Sequence, residues 1–536
     1  MTRKGLLYNK TMVALVLLFI AVNYWIKARS FLDPDFGWHL RMGEIILSKG
    51  IPHGDPLSYT MPSYPFVDHE WLTNVLFSFL YSSIGLGGMS IFFAALTLIA
   101  VGIPFLFSHP KWRLLPFLLA AISFMPYLGI RPQIFSWVFF SLLLFVVFQE
   151  KLWKRFKWFL PLLILLWTNL HGSFPLGVLV IALAAFFRGF QGKSEARNPK
   201  FEANNKVQNK KYKNARAAFD AVLNLKNLNF GIVSNFDIRI SDLVIVALCL
   251  VVTIINPYGA RVWWEVWMQL SDPTLKWAIQ EWLPALFLFN LPFFVLLCVS
   301  VPLVWKYRKQ FRPINLTLYG ATLLMAMSSG RHVPFWLLVA LPMTIQGLEY
   351  LYEEVVDYKH GKERFAVVYK VFIIGVVAMI SIDFLLMLPQ ARFSHLSRSP
   401  EQAVAFLKAN PSKGNVFNEY GLGGYLIWQY PEKKVFIDGR MPSWRWKDAP
   451  KMESENAFVE YEAVMSGNSD IEGIMEKYHI DTIVLLTEED PESLAIIFRK
   501  ISPLHLVNKP ALRSQLKRMG MEEVYRDGLV VIYRKT

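Results

Sequence analysis

Apolar runs of roughly bilayer-spanning length recur through the first 390 residues, and no other feature constrains the fold so strongly. A helix of about 20 residues crosses a hydrocarbon core about 30 Å thick, and it satisfies its own backbone polar groups there. Spans are expected near residues 11–28, 114–130, 132–149, 158–170, 173–188, 241–256, 284–305, 313–329, 333–350 and 366–388. The chain is 54% hydrophobic with a mean hydropathy of +0.33, too apolar over 536 residues for water to be its solvent. The charged start MTRKGLLYNK lacks a small-residue cleavage site after its apolar run, so a retained first span is expected.

The stretch 71–108 is long enough for two crossings with a turn at Gly85, Gly87 and Gly88, or for one net crossing. Charge decides. One crossing puts Lys151, Lys154, Arg155 and Lys157, the Lys- and Asn-rich segment 189–240, and Lys306, Arg308, Lys309 and Arg312 on the cytoplasmic side together. The expectation is a polytopic α-helical membrane protein of about 11 transmembrane helices. The net charge of +15 is accounted for by these short loops, which argues against a nucleic-acid partner. Segment 189–240 reads as a cytoplasmic basic linker, or as an arm for a membrane surface or partner. Cys249 and Cys298 lie inside apolar runs and suit small buried hydrophobes.

After residue 390 the pattern changes. Strand-like runs at 415–417, 434–437, 482–486 and 529–533 alternate with helical patterns at 400–409 and 491–499, so 391–536 is expected to form a small extracytoplasmic α/β domain. Residues 1–390 form the transmembrane module.

The first outer loop, 29–70, carries six carboxylates and three histidines. Residues from Phe36 onward suit an interfacial helix, with Asp33 or Asp35 at its N-terminus, where a carboxylate caps backbone N–H groups. His39 and Arg41 follow Asp35 closely, and Asp68, His69 and Glu70 return the chain to the membrane. The same topology sends Arg131, Asn169, His171, Asn256, Tyr258, Glu281, Arg331 and His332 to the outer face, each at a span end. One such group is ordinarily a satisfied helix end; many on one face suggest an aqueous pocket. Carboxylates there could deprotonate a hydroxyl or hold a divalent metal, while arginines could neutralise a phosphate leaving group.

Asp35-Phe-Gly-Trp-His39-Leu-Arg41 resembles the first-loop pattern of C-type membrane glycosyltransferases, the fold of protein O-mannosyltransferases, aminoarabinose transferases and oligosaccharyltransferase catalytic subunits. The motifs W-H-L-R-x-G-E, D-P-x-S-Y-T, H-E-W-L, R-P-Q, N-L-H-G, N-P-Y-G and R-H-x-P-F also resemble those of a group of bacterial membrane proteins nearly end to end. The resemblance implies a sugar transferase using a polyprenyl-phosphate-linked donor in the cytoplasmic membrane, with an outer-side protein, lipid or glycan as acceptor. It implies Asp35 as general base or metal ligand supported by Asp33, with His69 and Glu70 completing the carboxylate pocket. Arg131, Arg331 and His332 would bind the donor phosphate, supported by His39, Arg41, His171 and Glu281. Mg2+ or Mn2+ could sit at Asp35, but arginines alone can stabilise a phosphate leaving group. No W-W-D-Y-G-like motif occurs in the C-terminal domain, which argues against peptide asparagine as acceptor. In that domain Gly421-Leu-Gly-Gly-Tyr425 and Val435-Phe-Ile-Asp438-Gly-Arg440 read either as packing turns or as acceptor-selecting residues. The rivals are a transporter or flippase, which calls for polar breaks within spans and repeated halves, and a non-catalytic assembly protein of cell-envelope glycan synthesis.

Overall fold

The computed structural model describes residues 10–30, 32–106, 112–194, 238–272, 275–288, 290–393, 400–467, 471–487 and 509–535. The expected helix at 491–499 and most of the basic linker 189–240 lie outside the described residues. The order begins α1 (Lys10–Ser30), α2 (Phe36–Lys49), α3 (Trp71–Leu106), α4 (Leu114–Ser123), α5 (Gln133–Val147), α6 (Glu150–Phe156), α7 (Leu160–Leu170) and α8 (Phe174–Ser194). Helices Ile238–Val252, Arg261–Ser271, Leu291–Lys306, Pro313–Ser328, Val333–Val355 and Gly361–Phe393 follow. Several starts carry proline in the first turn, where its missing N–H costs nothing: Pro161 in α7, Pro292 in Leu291–Lys306 and Pro313, which opens its helix.

The helices form a bundle in which α1 packs on α3 and on Gly361–Phe393, α3 on α5, and Leu291–Lys306 on α4 and Val333–Val355. Stretch 71–106 is one helical run broken at Gly85, whose φ of 61° suits glycine. By length and composition, Trp71–Phe105 and Gly361–Leu385 can each cross a membrane, and the pair Gln133–Val147 and Glu150–Leu170, bent by 111°, would be a third span if taken as one. Leu114–Tyr127, Phe174–Arg188, Ile240–Val252 and Leu291–Lys306 are apolar but shorter. Since a 10-residue helix covers only about 15 Å, helix length alone does not give the expected count of about 11. The apolar window of Gly361–Leu385 is only 17% buried within the protein. Leu15, Phe79, Leu324 and Ile374 are likewise exposed on the bundle. An apolar surface of that extent needs lipid against it.

The C-terminal sheet has the order β1-β2-β4-β3, with β1 (Asn415–Asn418) parallel to β2 (Ile480–Leu486), and β4 (Val530–Lys535) antiparallel to β2 and to β3 (Met521–Arg526). Helix Glu401–Ala409 lies where expected. The run 434–437 is not a strand of this sheet, and β3 is an additional one. The run's alternation is satisfied elsewhere: Val435 bridges in parallel to Ser58 of the first outer loop. Tyr59 N–H donates to Val435 O at 3.1 Å, Val435 N–H to Leu57 O at 3.1 Å, and Thr60 Oγ1 to Phe436 O at 2.8 Å. Trp38, Met42, Leu57, Met61, Tyr64 and Phe66 share one buried core with Val416, Phe436 and Trp444. The first outer loop is thereby built into the C-terminal domain.

A buried ion triad pins that junction. Arg440 reaches Asp55 Oδ1 through Nη1 at 2.6 Å, and Asp438 through Nε at 2.8 Å and Nη2 at 2.6 Å. The three side chains are 0–2% exposed. Asp55 also accepts the Leu57 and Ser58 N–H groups, and the rings of Trp38, Phe66 and Trp444 surround the guanidinium. Removing one member of such a group costs about 3–5 kcal/mol, because the others stay buried with unmatched charge. Arg440→Met should therefore lower the unfolding temperature of the purified protein in detergent and expose the segment after residue 400 to protease, whereas a wild-type melting profile would show the triad to be dispensable.

Candidate functional site

The turn Asp33-Pro34-Asp35 enters α2. Asp33 Oδ1 accepts the Asp35 N–H at 2.8 Å, and the Asp33 carbonyl accepts the Phe36 N–H at 3.0 Å. Asp35 occupies the N-cap position, yet its carboxylate makes no capping hydrogen bond. The expected capping work thus falls to Asp33, and Asp35 is left for other chemistry. Arg131, presented by the Gly-Ile-Arg-Pro turn before α5, places Nε 2.6 Å from Asp33 Oδ2 and pairs through Nη1 with Glu281. It is a fork held between two carboxylates. The short turns Gln280–Trp282 and Gly330–His332 dock through Ser329 Oγ on the Glu281 carbonyl (3.3 Å) and Gly330 N–H on Leu283 O (2.7 Å). Docking sets the Arg331 guanidinium 4.6 Å over the Trp282 ring, with no carboxylate at ion-pair distance among the described residues. His332 Nδ1 lies 3.3 Å from the Met325 carbonyl and faces the same Trp282.

Asp35 lies under the C-terminal domain. A Cβ on Gly439 would fall 1.8 Å from Asp35 Oδ1, so the backbone of Ile437-Asp438-Gly439-Arg440 rests directly on this carboxylate. Alongside, Gly37 meets the Gly424 carbonyl so closely that a Cβ would sit 1.9 Å from it. Burial first, then the negative charges of Asp33, Glu281 and Asp438, push the Asp35 carboxyl up to about 8. Burial also works against ionised Glu281, but the guanidiniums of Arg131 and Arg331 outweigh it and hold Glu281 below the ordinary carboxylate range. Among the described residues Asp35 has no cationic partner.

A second group adjoins the first. Glu70 Oε1 is 3.3 Å from His171 Nε2 and 3.9 Å from His69 Nε2, and Oε2 is 3.8 Å from His39 Nε2. His39 Nδ1 meets Asn74 Oδ1 at 2.6 Å, and Asn74 Nδ2 donates to Asp68 Oδ2 at 2.7 Å. His171 leaves α7 in extended conformation, and its Nδ1 is bonded by Ser136 Oγ, Ser173 Oγ and the Ser173 N–H. Burial drives His39 down to about 3 and His69 to about 4, and His171 well below the ordinary range, so three neutral imidazoles surround Glu70. Burial and then Asp68 drive Glu70 well above the ordinary carboxylate range; Arg331, Asp35 and Asp33 also act on it, which makes the two groups neighbours.

Asp33, Asp35, Arg131, Glu281, Arg331 and His332 therefore gather in one group, and His39, His69, Glu70 and His171 in the other. Arg41 joins neither: it turns along α2 to Glu44 at 2.6 Å, partly exposed. Asp438 and Arg440 are consumed by the triad with Asp55 rather than offered to an acceptor. Tyr420, which is felt electrostatically with Asp35, Asp438 and Glu281, and Asn74, Ser136 and Ser173, which orient the imidazoles, were not singled out in the sequence. Their types are too common in spans and turns to signal a site. Among the described residues no three His, Cys, Asp or Glu side chains are grouped so as to hold a metal ion.

No protein-family model and no curated protein sequence matches the chain. Solved structures do. The archaeal oligosaccharyltransferase AglB from Archaeoglobus fulgidus, in complex with an inhibitory peptide and a dolichol-phosphate, superposes with a TM-score of 0.53 at 11% identity over 98% of this chain and 74% of that one. The apo form of the Archaeoglobus fulgidus oligosaccharyltransferase gives 0.52 at 12% identity over 98% and 75%. ArnT from Cupriavidus metallidurans bound to undecaprenyl phosphate gives 0.49 at 11% identity over 98% and 99%. The likeness shows that the chain shares the fold of that archaeal oligosaccharyltransferase, the fold that the first-loop resemblance implied.

The Gly439 contact makes a specific demand. Gly439→Ala should separate the C-terminal domain from Asp35 and lower any Asp35-dependent activity by at least about tenfold, the scale of a small misplacement at a reacting group, while Gly528→Ala, where a Cβ would meet nothing within 4 Å, should leave it unchanged; equal activities would show that the contact positions nothing.

Proposed function

We propose that this chain is a membrane glycosyltransferase that moves a sugar from a polyprenyl-phosphate donor to an acceptor hydroxyl on the outer side of the cytoplasmic membrane. The observation that carries the reading is a partly buried acid, Asp35, with no cation at ion-pair distance, and a cation, Arg331, with no carboxylate at ion-pair distance, both among the described residues and both acting on Glu281 and Asp33. A substrate that brings a proton to one and a phosphate to the other completes both. The archaeal oligosaccharyltransferase that shares this fold is in complex with a dolichol-phosphate, which supports a lipid-linked donor.

In the reaction the acceptor oxygen bonds to the anomeric carbon as the bond from that carbon to the phosphate oxygen breaks. Asp35 takes the acceptor's proton. Its raised affinity for protons suits the task, since a base works best near the ambient pH. Arg331 neutralises the departing phosphate, with Arg131 behind it stabilising the acidic floor and His332 beside Trp282 bounding the pocket. Asp33 is a positioning residue, held by Arg131. Since the described carboxylates and imidazoles form no metal-holding group, no step runs through Mg2+ or Mn2+.

Helix polarity supports the outer placement. Helix α5 begins beside Arg131 and ends before the basic helix α6 with Lys151, Lys154 and Arg155; Leu291–Lys306 begins at Asn290, which bonds the Ser123 carbonyl, and runs to Lys306, Arg308 and Lys309. Positive-inside asymmetry supports cytoplasmic basic ends, with the site and the C-terminal domain across the membrane from them. The proposed topology keeps about 11 crossings, counting the shorter apolar helices as spans.

Asp35→Asn should lower transfer by about 10²–10⁴-fold, the usual worth of a general base, with membrane insertion intact. In the wild type, kcat/KM should rise with pH toward about 8 and level off above it, because the free carboxyl must lose its proton to act; an unaffected Asn variant would remove Asp35 from the chemistry. Transfer should survive a divalent-metal chelator, and complete loss restored by Mg2+ or Mn2+ would show that the site assembles a metal centre.

A further inference from the structure

The hydrogen bonds around Glu70 fix more than its position. Asn74 gives its N–H to Asp68, so its oxygen faces His39 Nδ1, which must carry the proton; His39 Nε2 therefore shows Glu70 Oε2 a lone pair. On the other side, Ser136 Oγ accepts from Trp167 Nε1 at 2.7 Å and from Ser173 Oγ at 2.7 Å, which leaves its own proton for His171 Nδ1 at 2.8 Å. The Ser173 N–H points at the same nitrogen. His171 Nδ1 is thus the acceptor, and Nε2 carries the proton that faces Glu70 Oε1 at 3.3 Å. Glu70 sits between a donor on Oε1 and a lone pair opposite Oε2.

We infer that Glu70 is held as a neutral carboxylic acid whose Oε2 proton is a hydrogen-bond donor for the phosphate of a lipid-linked ligand. An ionised Glu70 would oppose two lone pairs across the His39 contact and would compete with phosphate for Arg331. The neutral form does neither. At 3.8 Å the Oε2 proton is too far from His39 Nε2 to be held there, so it is available to a ligand. The groups acting on Glu70 are Asp68, Asp33 and Asp35, which favour the proton, and Arg331, which opposes it; the imidazoles of His39, His69 and His171 are uncharged. Burial outweighs Arg331 and agrees with the wiring. This inference rests on the donor reading above and replaces the catalytic role expected for Glu70 with a binding one.

The test is infrared spectroscopy of the full-length protein in detergent at neutral pH, with undecaprenyl phosphate as the probe and inorganic phosphate as the comparison. A protonated-carboxyl band should be present in the free protein, absent in Glu70→Gln, and shifted to lower frequency by the probe. A shift with undecaprenyl phosphate alone assigns the site to a lipid headgroup; a shift with both assigns it to phosphate generally. Glu70→Ala should weaken binding of the probe by about 10- to 100-fold, the scale of a hydrogen bond to a charged group, and Glu70→Gln, which keeps a neutral donor, should recover most of that loss. If Glu70→Gln does not fold, a glutamate-specific carbon-13 label that shifts the wild-type band but not that of Glu70→Asp makes the same assignment. Bound lipid with no such band, or a band the lipid leaves unmoved, would overturn the inference while the donor reading stands. No binding of undecaprenyl phosphate by the wild type would remove both.

Discussion

Arg440 between Asp55 and Asp438 is the interaction on which the site depends. Two carboxylates from distant parts of the chain, one in the first outer loop and one after the run 434–437, are buried completely and could not stay there together without a shared cation. The triad joins the loop to the C-terminal domain, and the adjoining Gly439 then rests on Asp35. The elevated proton affinity of Asp35 follows from that closure, since desolvation is its largest cause and Asp438 adds to it. The charge-paired junction thus both closes the C-terminal domain onto the first outer loop and lowers the solvation of the Asp35 carboxyl.

The fold class was legible because lipid imposes a coarse pattern, and apolar run length survives any detail of packing. Helices α2 to α5, α7 and α8 lie close to the expected runs, α6 falls in the basic cluster expected between two of them, and the Gly85 break falls where glycines marked a turn. The C-terminal sheet was read less well. The run 434–437 has a strand's composition, and it does pair as extended chain, but with Ser58 rather than with a sheet neighbour. A partner 377 residues away leaves no local trace, whereas β3, with its exposed Glu522 and Glu523, lacks the apolar alternation that advertises a strand.

For the site, residue type and loop membership located Asp33, Asp35, Glu70 and the arginines, but not their division of labour. A sequence cannot tell that Asp33 satisfies the backbone turn and thereby frees Asp35, or that Arg41 turns away to Glu44. It equally cannot assign histidine tautomers, which here depend on Asn74, Ser136 and Ser173 on three different helices or turns. Among the described residues Asp35 and Glu70 have no arginine or lysine at ion-pair distance, and desolvation raises the proton affinity of both.

The most direct measurement reconstitutes the purified protein in vesicles with radiolabelled polyprenyl-phosphate sugars and candidate acceptors, and asks which product gains label. Label should move to an acceptor, and only where the vesicle face bearing the C-terminal domain is accessible to it. Label that stays on the lipid with every donor, or that moves only from the opposite face, would contradict a glycosyltransferase whose site lies beneath that domain.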